Sequence, residues 1–185
     1  MAGHLSGKNI AVTGAGNGIG RSVAILCAKE GANVVVADYG VELDGSAPSS
    51  AVADEVVNQI KELGGNAIAV AGDVSESEVG QRIVETAIEA WGRIDGVACA
   101  AGILRERMLF NMTDEEFDDV VRVHLRGHFN VYRAASAVMR KQEGGGSILG
   151  FTSGAFVAST AQPNYSAAKG GIISLTKSAA FALKR

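Results

Sequence analysis

The chain has 185 residues, of which 47% are hydrophobic, and its formal net charge is −3 at pH 7. This length suits one domain with a sizeable core, and acidic and basic residues are mixed, with no basic tract of the kind that binds nucleic acid or a membrane surface. The longest apolar stretches fall well short of the roughly 18 residues that a membrane span requires, and residues 1–5 lack the pattern of a secretory signal.

The two cysteines, Cys27 and Cys99, are isolated in apolar surroundings and do not form a C-x-x-C motif. This pattern predicts free, buried thiols in a reducing compartment rather than a disulfide or a metal site. We therefore expect a cytoplasmic protein that binds no metal.

A glycine-rich turn near the N-terminus lies between an apolar run and an amphipathic segment. It comprises Thr13, Gly14, Ala15, Gly16, Asn17, Gly18, Ile19 and Gly20. Residues 8–12 predict a strand and residues 21–30 a helix, which is the order that a dinucleotide-binding turn requires. Glycine lets the backbone approach a pyrophosphate, and the helix start offers free N–H groups and a partial positive charge. A turn that only packs the strand against the helix is the alternative.

Further strands and helices alternate along the rest of the chain. Strands are predicted at residues 33–37, 66–71, 93–98 and 147–152, and helices at residues 51–63, 75–91, 114–141 and 163–184. Ser75 with Glu78 predicts a capping box, and Thr113 predicts the N-cap of the 114–141 region, whose helical register is expected to break. This alternation predicts a three-layer α/β Rossmann fold with a doubly wound parallel sheet, in one domain covering residues 1–185.

The loop at residues 39–50 is rich in Gly, Ser and Pro and is longer than a usual connection between a strand and a helix. It is either a flexible surface insertion or a wall of a ligand cleft. We favour the surface insertion.

Two carboxylates follow predicted strands, at the sheet edge where ligands of such folds bind. Asp38 comes after the strand at residues 33–37, where a carboxylate can accept both hydroxyls of an adenosine ribose and would repel a 2′-phosphate. No Arg or Lys occupies the positions of Tyr39 and Gly40, which further favours NAD over NADP. Asp73 is a candidate for the adenine amino group, with a contact to the following helix as the alternative.

Tyr165 and Lys169 lie one turn apart on the predicted last helix, and Ser153 follows the predicted strand before it. A nearby ammonium and an oxidised nicotinamide both favour a phenolate. Such a tyrosine can take the proton of a substrate hydroxyl while hydride leaves its carbon, and Ser153 can hold the same oxygen. By itself a Tyr and a Lys at this spacing are weak evidence for catalysis, because such a pair often lies on a solvated helix face.

Together these motifs resemble the short-chain dehydrogenase/reductase family across nearly the whole chain. The matching residues are those of the glycine-rich turn together with Asp38, Gly72, Asp73, Val74, Ala101, Gly102, Ser153, Tyr165, Ser166, Ala167, Ala168 and Lys169. More narrowly, residues 37–40, 101–108 and 123–129 resemble the hydroxyacyl-CoA dehydrogenase domain of peroxisomal multifunctional enzyme type 2 and its bacterial relatives.

The resemblance implies strand order 3-2-1-4-5 and hydride transfer between NAD(H) and a secondary alcohol or ketone, including a 3-hydroxyacyl thioester. Tyr165 would be the acid/base, Lys169 would hold the nicotinamide ribose, and Ser153 would orient the substrate oxygen. The implied cofactor-binding residues are Thr13, Gly14, Gly16, Asn17, Gly18, Ile19, Gly20, Asp38, Asp73, Val74, Ala101, Gly102, Tyr165 and Lys169.

The sequence departs from the family pattern in three places. Cys99 and Ala100 replace two asparagines, so the side-chain hydrogen bonds that brace the central strand must be replaced or missing. His124 aligns with the catalytic asparagine that anchors a water in the proton path. It could hold a water or relay a proton, with a pH dependence near 6.5, or it could be a packed helix residue. Ser153 lies one residue closer to Tyr165 than the family spacing, which would select Thr152. We keep Ser153.

The family continues beyond the last predicted helix into further strands and a substrate lid, so we expect this chain to lack those elements. In the family this helix packs against its counterpart, which implies a homodimer or homotetramer. The alternative functions are a nucleotide-binding scaffold without catalysis and an NADP-dependent carbonyl reductase.

Overall fold

The computed structural model describes residues 3–184, and its five-stranded parallel sheet has the order β3-β2-β1-β4-β5. The strands are β1 (Asn9–Thr13), β2 (Asn33–Asp38), β3 (Asn66–Ala71), β4 (Gly96–Cys99) and β5 (Ser147–Gly150). The central strand pairs on both sides, with Ile10 opposite Val34 of β2 and Gly96 of β4. The predicted doubly wound Rossmann arrangement is confirmed.

Within residues 3–184, six α-helices cover the two faces of this sheet. They are α1 (Gly18–Lys29), α2 (Ala51–Glu62), α3 (Ser77–Trp91), α4 (Asp114–Val121), α5 (Gly127–Met139) and α6 (Pro163–Leu183). Successive residues of a strand point to opposite faces. Val34 and Val36 accordingly pack with apolar residues of α1 and α2, and Val35 packs with those of α3 and α5. Both faces are buried, which explains the continuous apolar run of β2.

One of the two predicted helix caps is confirmed and the other is wrong. The Thr113 hydroxyl accepts from the Glu116 N–H at 3.1 Å, and the Glu116 carboxylate accepts from the Thr113 N–H at 3.0 Å. The Ser75 capping box does not form, because α3 begins only at Ser77. Ser75 forms other hydrogen bonds instead: its N–H donates to the Asp73 carboxylate at 2.8 Å, and its hydroxyl accepts from Arg122.

The expected break in the 114–141 helical region is confirmed as a π-helical turn, Arg122–Arg126, between α4 and α5. The wider turn changes which side chains point inward. His124 within it is only 3% exposed, and α6 packs against both α4 and this turn. The turn therefore brings His124 to the helix that carries Tyr165 and Lys169.

Among residues 3–184, no helix is long and apolar enough to cross a membrane.

Candidate active site

A cavity of about 440 Å³ lies at the C-terminal ends of the first four strands. This volume falls within the roughly 300–1,000 Å³ of small-molecule sites. The predicted cofactor residues that line it are Gly14, Asn17, Gly18, Ile19, Gly20, Asp38, Asp73, Val74, Ala101 and Gly102. The cavity is called the cleft below.

The glycine-rich turn is packed too tightly for side chains at three of its positions, Gly14, Gly16 and Gly20. Gly14 has φ +64°, and a Cβ added there would lie 2.7 Å from the backbone of Ala101. A Cβ on Gly16 would lie 2.3 Å from Cγ1 of Val52. Because α1 begins at Gly18, within this turn, its first N–H groups, which lack helical partners, lie at the cleft. The turn thus has the form of an anion site at a helix N-terminus.

The Asp38 carboxylate joins the glycine-rich turn to the loop that follows β2. Its Oδ2 accepts from the Gly16 N–H at 2.7 Å, and its Oδ1 accepts from the Gly40 N–H at 2.6 Å. A carboxylate oxygen can accept more than one hydrogen bond. Each oxygen therefore keeps the capacity to accept from a hydroxyl in the cleft, as the predicted ribose contact requires.

Asp73 lines the cleft but is already bonded within the protein. Its Oδ2 accepts from Arg122 Nη1 at 2.7 Å, and its Oδ1 accepts from the Ser75 N–H. Burial alone would raise the pKa of Asp73, but these hydrogen bonds outweigh it and hold the pKa below its ordinary value. Asp73 thus contacts Ser75, just before α3 begins at Ser77, and the adenine contact stays a prediction.

The long loop after β2 is ordered and closes one side of the cleft. The Leu43 carbonyl accepts from the Leu104 N–H at 2.9 Å, and Gly45 packs on Ile103. The cleft is lined by Val41, Glu42, Leu43 and Gly45 of this loop. We call residues 41–46 the strap. The predicted surface insertion is wrong, because the strap's backbone finds its partner in the segment after β4.

Thr13 supplies the bracing that the family's asparagines would give. The Thr13 carbonyl accepts from the Ala100 N–H at 3.2 Å, and its hydroxyl accepts from the Ala101 N–H at 3.3 Å. Thr13 is 2% exposed, so it lies behind the cleft wall. Burial raises the pKa of the neighbouring Cys99 thiol to about 12, so Cys99 stays protonated.

Tyr165 and Lys169 lie on the inner side of α6. Lys169 Nζ is 5.2 Å from the centre of the Tyr165 ring and donates to the Phe151 carbonyl at 2.8 Å. Lys169 is 5% exposed, and burial lowers its pKa to about 8. Tyr165 is half-buried and can meet a substrate. The predicted pair is thus brought together away from the solvated face that was its alternative.

Ser153 and Thr152 have different hydrogen bonds. The Thr152 hydroxyl donates to the Lys169 carbonyl at 3.0 Å, which commits its proton to α6. Ser153 Oγ accepts from the Ala155 N–H at 3.3 Å and keeps its own proton to donate. This difference favours Ser153 as the residue that holds a substrate oxygen.

His124 lies between the cleft wall and Tyr165. A Cβ added to Gly102 would be 2.0 Å from His124 Cε1, and the His124 and Tyr165 rings are perpendicular with centroids 5.1 Å apart. Burial, followed by the charge of Lys169, lowers the pKa of His124 to about 3. The expected titration near pH 6.5 is therefore wrong, and the ring is neutral at physiological pH.

Comparison with known proteins agrees with this site. The sequence model of the family described as short chain dehydrogenase matches residues 8–185. The chain belongs to the short-chain dehydrogenase family. A hydroxyacyl-CoA dehydrogenase of Mycobacterium tuberculosis is 45% identical over 98% of this chain and 58% of its own length. The peroxisomal multifunctional enzyme type 2 of Mus musculus is 42% identical over 92% of this chain and 23% of its own length.

Solved structures of the short-chain dehydrogenase family share the fold. The crystal structure of a short chain dehydrogenase from Mycobacterium avium has a TM-score of 0.91 and 43% identity, and the match covers 98% of this chain and 67% of that one. The predicted enzyme class, an NAD(P)-dependent short-chain dehydrogenase/reductase, is confirmed, as is its likeness to the hydroxyacyl-CoA dehydrogenase group. The chain spans less than two thirds of these curated relatives.

Several residues at this short-chain dehydrogenase site were missed from the sequence. Arg122, which lines the cleft, was not predicted, although it directly precedes the 123–129 motif. His128 was also missed, although it lies one helical turn after His124. The strap was assigned to a surface insertion rather than to a cleft wall, because its ordering depends on contacts with distant residues.

Proposed function

We propose that this domain catalyses NAD-dependent hydride transfer between a secondary alcohol and the corresponding ketone. The observation that carries the proposal is the position of the His124 ring, in contact with Gly102 of the cleft wall and edge-on to Tyr165. The ring thus joins the cleft, which Tyr165 and Lys169 do not line, to that pair. A cofactor whose phosphates bind at the glycine-rich turn can then extend toward Tyr165.

Bound NAD would supply the hydride acceptor, and the chain's own residues handle the proton. Tyr165 takes the proton of the substrate hydroxyl while Ser153 donates a hydrogen bond to the same oxygen. The Lys169 ammonium, beside the Tyr165 ring, stabilises the phenolate and has N–H groups left for the nicotinamide ribose. In sum, alcohol and NAD⁺ give ketone, NADH and one proton.

Asp38 supports NAD over NADP. Its two oxygens lie at the cleft and carry negative charge, which favours ribose hydroxyls and opposes a 2′-phosphate. Tyr39 and Gly40 follow it and bring no positive charge. Asp73 and Val74, on the far wall, are proposed to contact the adenine.

The substrate class proposed first is a 3-hydroxyacyl thioester. Two relatives support it by their names, the hydroxyacyl-CoA dehydrogenase and the multifunctional enzyme, each more than 40% identical to this chain. Other secondary alcohols remain within the proposal, since Tyr165 and Ser153 recognise only the oxygen that reacts.

We further propose that the protein acts in the cytoplasm as a homodimer or homotetramer. A half-open groove lined by Leu125, Phe129 and Leu175, with Phe129 44% exposed, supports self-association. The free thiols of Cys27 and Cys99 support a reducing compartment.

Substitution of Tyr165 tests the proposed chemistry. Tyr165→Phe should lower kcat for alcohol oxidation by at least about 100-fold, because the acid/base is removed. The shift of the melting temperature by NAD should persist, since the cleft is intact. Tyr132→Phe, which removes a phenol hydroxyl that is bonded to Thr176 outside the cleft, is the matched control. An active Tyr165→Phe variant would refute the assignment, and NAD binding without any turnover in the parent would favour the scaffold alternative.

A further inference from the structure

A buried cluster of His124, His128 and Lys169 lies behind Tyr165, and the proposed chemistry leaves His128 without a role. His128 is 2% exposed. Its ring lies close to β5, where a Cβ added to Gly150 would be 3.2 Å from His128 Cδ2. Lys169 reaches the same strand end through the Phe151 carbonyl. The cluster therefore fills the space between α5, α6 and the C-terminal end of β5.

The hydrogen bonds of the two histidines fix their tautomers. His128 Nδ1 is 2.6 Å from the His124 carbonyl, and His124 Nε2 is 2.9 Å from the Ile103 carbonyl. A carbonyl can only accept, so these two nitrogens carry the protons. Burial, followed by the charge of Lys169, lowers the pKa of His124 to about 3 and that of His128 to about 4. Both rings are neutral, and His124 Nδ1 and His128 Nε2 carry lone pairs.

These two lone pairs are buried and have no donor among residues 3–184. Lys169 has the opposite imbalance, because its ammonium carries three N–H donors and its hydrogen bond within the described chain goes to Phe151. Buried polar groups of this kind are usually connected by an internal water when they do not touch. The cluster thus combines surplus acceptors with a surplus donor in one enclosed space.

The other titratable groups at this place do not compete for the role. Burial raises the pKa of Tyr132, whose ring centroid is 5.9 Å from that of His128, and the pKa of Cys99 is about 12. Both stay protonated and uncharged near neutral pH. Among the described residues, the imidazole lone pairs are therefore the acceptors best suited to the Lys169 ammonium.

We propose that His128 is a positioning residue, which braces the π-helical turn through Nδ1 and uses Nε2 to hold the Lys169 ammonium beside Tyr165 through an internal water. This inference rests on the proposed function, because it assigns His128 a role in the same reaction. The brace keeps His124 in place against Tyr165. The Nε2 contact keeps Lys169 charged at a pH where burial alone would strip its proton.

Two substitutions separate the role of His128 Nδ1, which braces the π-helical turn, from the role of the Nε2 lone pair. In His128→Asn, the amide N–H can still donate to the His124 carbonyl, but nothing reaches the position of Nε2. In His128→Gln, the amide oxygen reaches that deeper position and can accept from Lys169. The exposed His4 gives the matched control, His4→Asn. Melting temperatures report whether each variant folds.

The readout is the alkaline limb of the pH profile of kcat for alcohol oxidation. In His128→Asn we expect this limb to move to lower pH by about one unit, as follows from losing one hydrogen bond to a charged group. The limb of His128→Gln should lie close to that of the parent, and KM for NAD should change less than about threefold in both. A parent-like limb in His128→Asn would overturn the proposal.

A second measurement keeps the inference separate from the proposed function. The ¹⁵Nζ resonance of Lys169 titrates whether or not the protein turns over a substrate. Its midpoint should fall in His128→Asn and not in His128→Gln or His4→Asn. If the parent shows no turnover, the proposed function fails, and this titration alone decides the role of His128. An unchanged midpoint in His128→Asn would refute it.

Discussion

At the scale of single residues, Asp38 serves both the fold and the site. The same carboxylate that faces the cleft ties Gly16 of the glycine-rich turn to Gly40 of the following loop. The proposed ribose contact and the shape of the turn therefore depend on one side chain. Its loss should affect binding and stability together.

Asp38→Ala should weaken NAD binding by about tenfold or more, the effect of removing a charged hydrogen-bond acceptor. NADP binding should change less, because the repulsion of its 2′-phosphate disappears at the same time. The melting temperature should fall by a few degrees, since two backbone N–H groups lose their partner. Calorimetric titration with both cofactors measures the first two effects, and the exposed Asp54→Ala is the control. An unchanged preference for NAD would contradict the role of Asp38.

The proximity of two side chains could be predicted from the sequence where both lie on the same helix, because their spacing along the chain then fixes the distance between them. Tyr165 and Lys169 are one turn apart on a helix, so their proximity followed from the sequence. The burial of Lys169 could not be predicted in this way, because it depends on a hydrogen bond to the Phe151 carbonyl, which lies in another part of the fold. The pairing of Asp73 with Arg122, 49 residues later in the chain, was hidden for the same reason.

At the scale of elements, the strap is the feature that most changes the site. It connects the loop after β2 to the segment after β4 through the Leu43 carbonyl and the Leu104 N–H. The loop closes at its base, where the Tyr39 carbonyl accepts from the Ser49 N–H at 3.2 Å. Gly40 makes this closure possible, because a Cβ there would lie 1.7 Å from the Ser49 carbonyl oxygen.

Gly40→Ala should therefore open the base of the loop and weaken NAD binding. We expect the Kd for NAD to rise by about tenfold and the dissociation rate to rise with it, as the strap no longer closes the cleft. Gly7→Ala is the control, since Gly7 has a similar φ of +74° but would place its Cβ in open space. Stopped-flow measurement of NAD release compares the two. Equal release rates would show that the strap does not retain the cofactor.

Element types were predictable from sequence, whereas their ends depended on side-chain competition. The Thr113 cap forms because Glu116 Oε2 can accept from the Thr113 N–H while Oε1 pairs with Arg107, whereas the side chain and N–H of Ser75 are held by Arg122 and Asp73. β4 begins at Gly96, later than predicted. The preceding Asp95 accepts from the Asn9 N–H at 3.0 Å through its side chain and forms an ion pair with Arg93.

At the scale of the whole molecule, the strand order brings both halves of the site to one sheet edge. The glycine-rich turn follows β1, Asp38 ends β2, and Ser153 comes after β5, with β4 between. Alternating strands and helices predicted the parallel sheet, but the order of its strands came from the family resemblance. Composition and periodicity alone leave that order open.

The buried histidines should make the whole fold sensitive to acid. The folded-state pKa values, about 3 for His124 and about 4 for His128, lie below the ordinary 6.5. As the pH falls through 6.5, the unfolded chain takes up protons that the folded chain does not, so stability is lost on the acid side. We expect the free energy of unfolding to fall by about 1.4 kcal/mol per pH unit for each histidine.

Urea denaturation at several pH values between about 7 and 5 measures this slope. His124→Asn removes one of the two buried titrating groups, so its slope should be about half that of the parent, whatever its stability at neutral pH. Comparing slopes above pH 5 keeps the titration of carboxylates such as Asp73 out of the result. Identical slopes in the two proteins would show that His124 does not stay neutral in the folded state.

The most direct test of the central claim is transfer of a deuterium label. The parent and Tyr165→Phe are incubated with NAD and secondary alcohols deuterated at the carbinol carbon, including a 3-hydroxyacyl thioester, and the reduced nicotinamide is analysed by mass spectrometry. We predict that the parent yields labelled NADH from at least one alcohol, and that Tyr165→Phe binds NAD but yields none above background. Labelled NADH from Tyr165→Phe at the parent's rate, or NAD binding by the parent with no label transferred from any alcohol, would contradict the account.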